Sequence, residues 1–190
     1  MKHKQTLRRG LSILLSLVLC LSLLPATALA EGTATATETA DFTTDAEAAL
    51  ALLNAAKTEG AANSEWDPAT STLTLKGVDF TTSAAIAVKL PDGATIVLAD
   101  GTENTIASTA DNAYMSYGIY ATNGLTIEGS GTLTVRSAKA TTNLSNSVSY
   151  GIYADAGDIT ISGGTVTATG GKAATNSRGI DAYTNVTISG

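Results

Sequence analysis

Tyr150 to Gly170 reads YGIYADAGDITISGGTVTATG, and Tyr117 to Val135 reads YGIYATNGLTIEGSGTLTV. The two segments are near copies. Gly118, Gly151 and Gly179 align at spacings of 33 and 28 residues, and each opens the same phrase: GIYA, GIYA, GIDA. The next apolar piece closes at Ile127, Ile161 and Ile188, which lie 6, 7 and 6 residues after the alanine of that phrase. A third piece follows in the first two copies, TLTV and TVTA. Each piece alternates apolar residues with threonine or another small residue, the period-2 pattern of a strand with one buried face. Glycine, asparagine and aspartate separate the pieces, as turns require. The unequal repeat lengths arise mostly in Arg136 to Ser149 and Thr169 to Ser177, two polar stretches that read as loops of variable length at one corner. Three short strands in fixed order, with one variable corner, predict an all-β parallel β-helix in which each repeat is one coil. An antiparallel sandwich also shows regular turn signals. The equivalence of whole three-strand units favours the β-helix.

Upstream, TLTL (72–75), AIAV (85–88), TIVL (95–98) and NTIA (104–107) extend the strand pattern, so the repeat region is read as 63–190. Before it, residues 42–62 contain TTDAEAALALLNAAKTEG, rich in alanine and leucine, which favour helix. Thr44 with Glu47 fits a capping box and Gly60 a stop, so one capping helix is expected from about Asp45 to Glu59. Trp66, the only tryptophan, is expected to seal that helix against the first coil. Residues 31–41, EGTATATETAD, have no large apolar side chain and read as a disordered linker. Residues 1–30 show the three parts of a secretory signal: four basic residues, the 14-residue apolar run Leu11–Leu24, and Ala28-Leu29-Ala30. That run is short of the roughly 20 residues that span a bilayer. Cys20 lies inside it behind Leu19, which is not the small residue a lipoprotein signal needs.

Composition narrows the chemistry. The formal net charge is −6, and loss of Lys2, Lys4, Arg8 and Arg9 with the leader takes it to −10. That argues against nucleic acid and anionic membrane surfaces as partners. Cleavage also removes the only histidine, His3, and the only cysteine. The remainder has no residues for a Ser-His-Asp or Cys-His mechanism, or for a His-ligated zinc site.

The phrases WDPATSTLTLKGVDF, LPDGATIVLADGTENTI, YGIYA, GLTIEGSGTLTV and DITISGGTVTATGG resemble secreted Firmicutes proteins described as carbohydrate-binding domain-containing. The resemblance covers about Asp41 to Gly190. It implies a right-handed parallel β-helix similar to pectate lyases, acting as a secreted or cell-wall-associated polysaccharide-binding module, sometimes with bound Ca²⁺. Relatives of that kind have more coils, so the expectation is a C-terminally truncated repeat region that ends mid-coil. The chain is expected to be a monomer. Two other readings stand beside it: an adhesin-like surface stalk with no ligand site in this segment, and a β-helical polysaccharide lyase.

With Ile119 and Ala121 inward, Tyr120 points outward, with Tyr153 one coil on and Asp181 on the coil after that. Two outward tyrosines could form a flat platform for the C–H face of a sugar, or a ladder that supports the sheet. Tyr183 could extend the patch. Tyr117 and Tyr150 have the opposite parity and are placed at the strand entrance. Asp155 and Asp158 lie at the following corner, where oxygen ligands could hold Ca²⁺. No spacing matches a known calcium loop, and solvated turn aspartates are the alternative.

Overall fold

The computed structural model describes residues 36–111, 113–141 and 145–189. The secretory signal, Cys20 and the first residues of the linker lie outside them. The chain is a β-solenoid. Three parallel sheets form its faces, and each turn visits them in the same order. The first face holds β3 (Thr72–Leu75), β6 (Ala94–Leu98), β9 (Leu125–Gly129), β12 (Ile159–Ile161) and β15 (Val186–Ile188). The second holds β4 (Asp79–Thr82), β7 (Glu103–Ser108), β10 (Thr132–Arg136) and β13 (Thr165–Thr169). The third holds β1 (Ala40–Asp41), β5 (Ile86–Leu90), β8 (Met115–Ala121), β11 (Val148–Ala154) and β14 (Asn176–Ala182).

Register makes the core. Leu73, Ile96, Ile127, Ile161 and Ile188 are paired in series on the first face. Phe80, Ile106, Val135 and Ala168 line up on the second. Val88, Ile119, Ile152 and Ile180 do so on the third. Each inner turn therefore buries its apolar residues against their equivalents above and below. A fully buried Leu or Ile contributes about 1.5–3 kcal/mol. Polar groups inside are matched as well. Asn104, almost wholly buried, accepts from the Gly77 and Val78 amides at 2.8 and 3.0 Å and donates to Thr132 O at 3.1 Å, tying three turns together at one corner.

The expected loops of variable length join the second face to the third, between β10 and β11 and between β13 and β14. The N-terminal end is covered. Helix α1 (Ala46–Ala55) places Ala49 and Leu53 on the core and packs against β1, β2 (Glu65–Asp67) and β4. β2 pairs antiparallel with β3 and closes that edge. Trp66, on β2, packs against Phe42 with ring centroids 4.8 Å apart and adds to the core cluster, as its position suggested.

Three expectations change here. The helix cap is Asp45 rather than Thr44: its carboxylate accepts from the Ala48 amide at 3.0 Å. The helix stops at Ala55, short of Glu59. Beyond it the Ala56 carbonyl accepts from the Asp79 amide at 2.7 Å and the Thr58 amide donates to Gly77 O at 2.8 Å, so pairing with the first turn outweighs helix propensity. The end of the stretch read as a linker belongs to the fold: Ala40 is fully buried, β1 pairs with β5, and Ala36 bridges to Thr82. Among the described residues, no helix is long and apolar enough to cross a membrane.

Candidate functional site

The outer surface of the third face carries two columns of side chains. In register, one column runs Ile86, Tyr117, Tyr150, Arg178, and the other runs Asp41, Lys89, Tyr120, Tyr153, Asp181. Four tyrosines meet at the centre. Tyr150 and Tyr153 stack at 5.0 Å and 14°, Tyr117 and Tyr153 at 5.5 Å and 29°. Tyr117 meets Tyr120 edge-on at 5.3 Å and 74°. Tyr120 and Tyr153 lie 5.9 Å apart with their planes tilted by 47°. The pair expected to form a flat platform is therefore not coplanar. It is the partly exposed half of a four-ring cluster, and Tyr117 and Tyr150 are its buried half, each 6% exposed.

Tyr117 and Tyr150 are not at a strand entrance, contrary to the parity argument. Strict alternation would point Tyr117 inward with Ile119. Instead the strand bends at Gly118, and at its equivalent Gly151. A Cβ at Gly118 would lie 2.4 Å from Val135 Cγ1 and 2.7 Å from Gly151 O. Only glycine lets the backbone come this close. The bend uses one residue, so alternation restarts after it. Tyr117 and Tyr120, three apart, then share the outer surface, while Ile119 and Ala121 are fully buried. The repeated Tyr-Gly-Ile-Tyr was visible in the sequence as the signal for this. Its meaning depended on recognising the glycine as a bend.

Charged groups frame the cluster. Lys89 Nζ lies 3.3 Å from Asp41 Oδ2 at one end, and Arg178 lies 2.5 Å from Asp181 Oδ1 at the other. Asp155, from the corner after β11, accepts from the Tyr153 hydroxyl at 3.2 Å. Burial, followed by hydrogen bonding and charge from the Asp155 carboxylate, pushes the Tyr120 hydroxyl up to about 12. Burial raises Tyr117 further, with the neighbouring tyrosines adding to it. Burial also raises Tyr150 and Tyr153, helped by Asp181 and Asp155 respectively. Burial alone would raise Asp41, but hydrogen bonds from Thr43 and the Lys89 ammonium hold it below the usual carboxylate range. A groove of about 500 Å³ opens beside Tyr117 and Tyr120, walled by Asp41, Lys89, Met115 and Asp155.

The other sequence candidates fall elsewhere. Tyr183 takes the position after the strand that Asp155 takes one turn earlier. It is 75% exposed and makes no ring contact with the cluster. Asp158 faces a different recess, of about 490 Å³, lined also by Asp92, Asn123 and Gly157. There it accepts from the Asn185 amide and Nδ2, both at 3.0 Å, and from the Thr184 hydroxyl. These bonds lower its pKa. Asp158 precedes β12 as Asn185 precedes β15, and its bonds tie that corner to the next turn. Asp155 and Asp158 thus serve different neighbours. Among the described residues, no three His, Cys, Asp or Glu side chains gather as a metal-holding set.

Neither a curated protein nor a solved structure matches the chain. Residues 56–149, which include Lys89, Tyr117 and Tyr120 and stop one residue before Tyr150, match the model of a family described as carbohydrate-binding domain-containing protein.

Proposed function

We propose that this chain is a secreted or surface-exposed, non-catalytic carbohydrate-binding module, and that the tyrosine strip on the third face is its binding surface. The family match supports carbohydrate as the ligand class. The observation that carries the choice of surface is the four-tyrosine cluster, whose members Tyr120 and Tyr153 are partly exposed and which borders an open groove at Tyr117 and Tyr120. Tyrosine rings offer apolar faces to sugar C–H groups, and their hydroxyls add hydrogen bonds. The leader pattern in residues 1–30 supports export. Of the candidate acids, Asp158 is committed to Asn185 and Thr184, and Asp155 to Tyr153, which favours binding over acid–base work.

The mutual packing of the rings favours a second reading, in which the cluster only stiffens a surface stalk. Retention on insoluble polysaccharides, with and without calcium, separates the two. Under the binding reading, Tyr120→Ala and Tyr153→Ala each weaken retention by about tenfold or more, as truncated hot-spot aromatics do. If both variants melt at lower temperature while no glycan retains the wild type, the stalk reading stands instead. Release of unsaturated uronides would sink both in favour of a lyase.

A further inference from the structure

The charges along the strip carry an inference that rests on the glycan-binding reading and narrows it. We propose that the strip takes an uncharged polysaccharide laid across strands β5, β8, β11 and β14, along the solenoid axis, and discriminates against uronate- and sulfate-bearing chains.

Both cations on the strip are already spent. Lys89 is paired with Asp41 and Arg178 with Asp181. A third carboxylate, Asp155, sits between them against Tyr153 and has no ion-pair partner among the described residues. Three carboxylates therefore face two cations. An anionic sugar would have to break one of these pairs, and would then meet the released aspartate and Asp155. Like charges at such range repel, and the chain's overall charge of −6 adds to this. Neutral sugar hydroxyls meet no such penalty. They donate to carboxylate oxygens in charge-assisted hydrogen bonds while the sugar's C–H face rests on the rings.

The path follows from the register. A chain running along one strand would meet a single tyrosine pair, because successive turns stack at about 4.8 Å across the strands. A chain running across the strands meets Lys89, Tyr120, Tyr153 and Asp181 in order. The Tyr120–Tyr153 spacing of 5.9 Å then places one ring under each of two neighbouring sugars.

The test uses the full chain in affinity electrophoresis and calorimetry. Neutral chains (β-glucan, xylan, galactomannan) are compared with acidic ones (polygalacturonate, alginate, chondroitin sulfate), at low salt and near 0.5 M. The expected result has four parts. Neutral chains bind, and their affinity changes by less than about twofold with salt, since no ion pair to the ligand is screened. Affinity rises from mono- to tetrasaccharide. Tyr153→Ala lowers it by about tenfold. Acidic chains bind more weakly. Preference for an acidic chain, lost in high salt and in Lys89→Gln, would overturn the inference and leave the glycan reading intact. A monosaccharide that binds as well as its tetrasaccharide would overturn the path across the strands. Neutral binding untouched by Tyr153→Ala would remove the strip from the assignment. No binding to any glycan by protein with a cooperative melt would overturn the reading and the inference together.

Discussion

Gly118 and Gly151 decide where four tyrosines point. Each sits where a Cβ would strike backbone or the neighbouring core, and each lets its strand bend between Tyr and Ile. The consequence is electrostatic as well as steric. Packing the rings together removes water from their hydroxyls and sets them beside Asp155 and Asp181, so their ionisation is pushed up. For Tyr120 the ordinary value is 10.0 and the folded value about 12. A raised folded value means that the protonated form is favoured in the folded state. Its contribution to stability is complete below about pH 10 and is lost as pH rises from 10 through 12. Denaturation midpoints measured across that window are expected to fall in the wild type and to fall less in Tyr120→Phe. Parallel pH profiles for the two proteins would show that Tyr120 does not ionise late.

The element that most affects the start of the solenoid is α1. An open end would leave the first turn's apolar residues wet and its strand edges unpaired, a hazard that natural sheets cover. Leu53, fully buried, and Ala49 fill that end, while β1 and β2 pair with the edges of β5 and β3. Capping supports the helix: Asp45 holds the Ala48 amide. Leu53→Ala is expected to cost about 2–5 kcal/mol by urea denaturation, because it removes the apolar contact and leaves a cavity beneath the cap. A loss well under 1 kcal/mol would mean that α1 rests on the first turn without closing it. The Thr-x-x-Glu phrase did announce a helix start, but two adjacent residues could serve as the cap. Which one serves is set by how the chain leaves β1, and that is not written locally.

At the scale of the molecule, stability is a sum over turns, each of which contacts its neighbours alone. The middle turns have a partner on both sides, and Ile96, Ile106, Ile119, Ile127, Leu133 and Ile152 are fully buried. In the last described turn, Ile180 is only partly buried, while Val186 is 43% and Ile188 71% exposed. Native-state amide exchange is therefore expected to be slowest in β6 to β11 and fastest in β14 and β15, in steps that follow the turns. Uniform protection across all of them would show that the solenoid opens as one unit. The four tyrosines of the strip lie in β8 and β11, within the best-supported part, where rigid rings cost a ligand least to order.

The repeat of YGIYA with its following strands determined the architecture unaided. Stacking in register demands the same residue type at the same place in every turn, so the three-dimensional period is printed as a linear one. The variable corner and the outward position of Tyr120 and Tyr153 were legible for the same reason. Tertiary structure alone decided the rest. Tyr117 and Tyr150 joined the cluster because a glycine bend cancels the two-residue alternation on which a sequence reading depends. Asp158 left the site because its carboxylate is held at a different corner by Asn185 and Thr184 of the next turn. Lys89 and Asp41 became an ion pair at one end of the strip because parallel register brings together residues that are far apart along the chain, while Arg178 and Asp181, three apart on one strand, pair at the other end. Periodicity records what repeats, and a binding surface is built where turns that repeat carry side chains that do not.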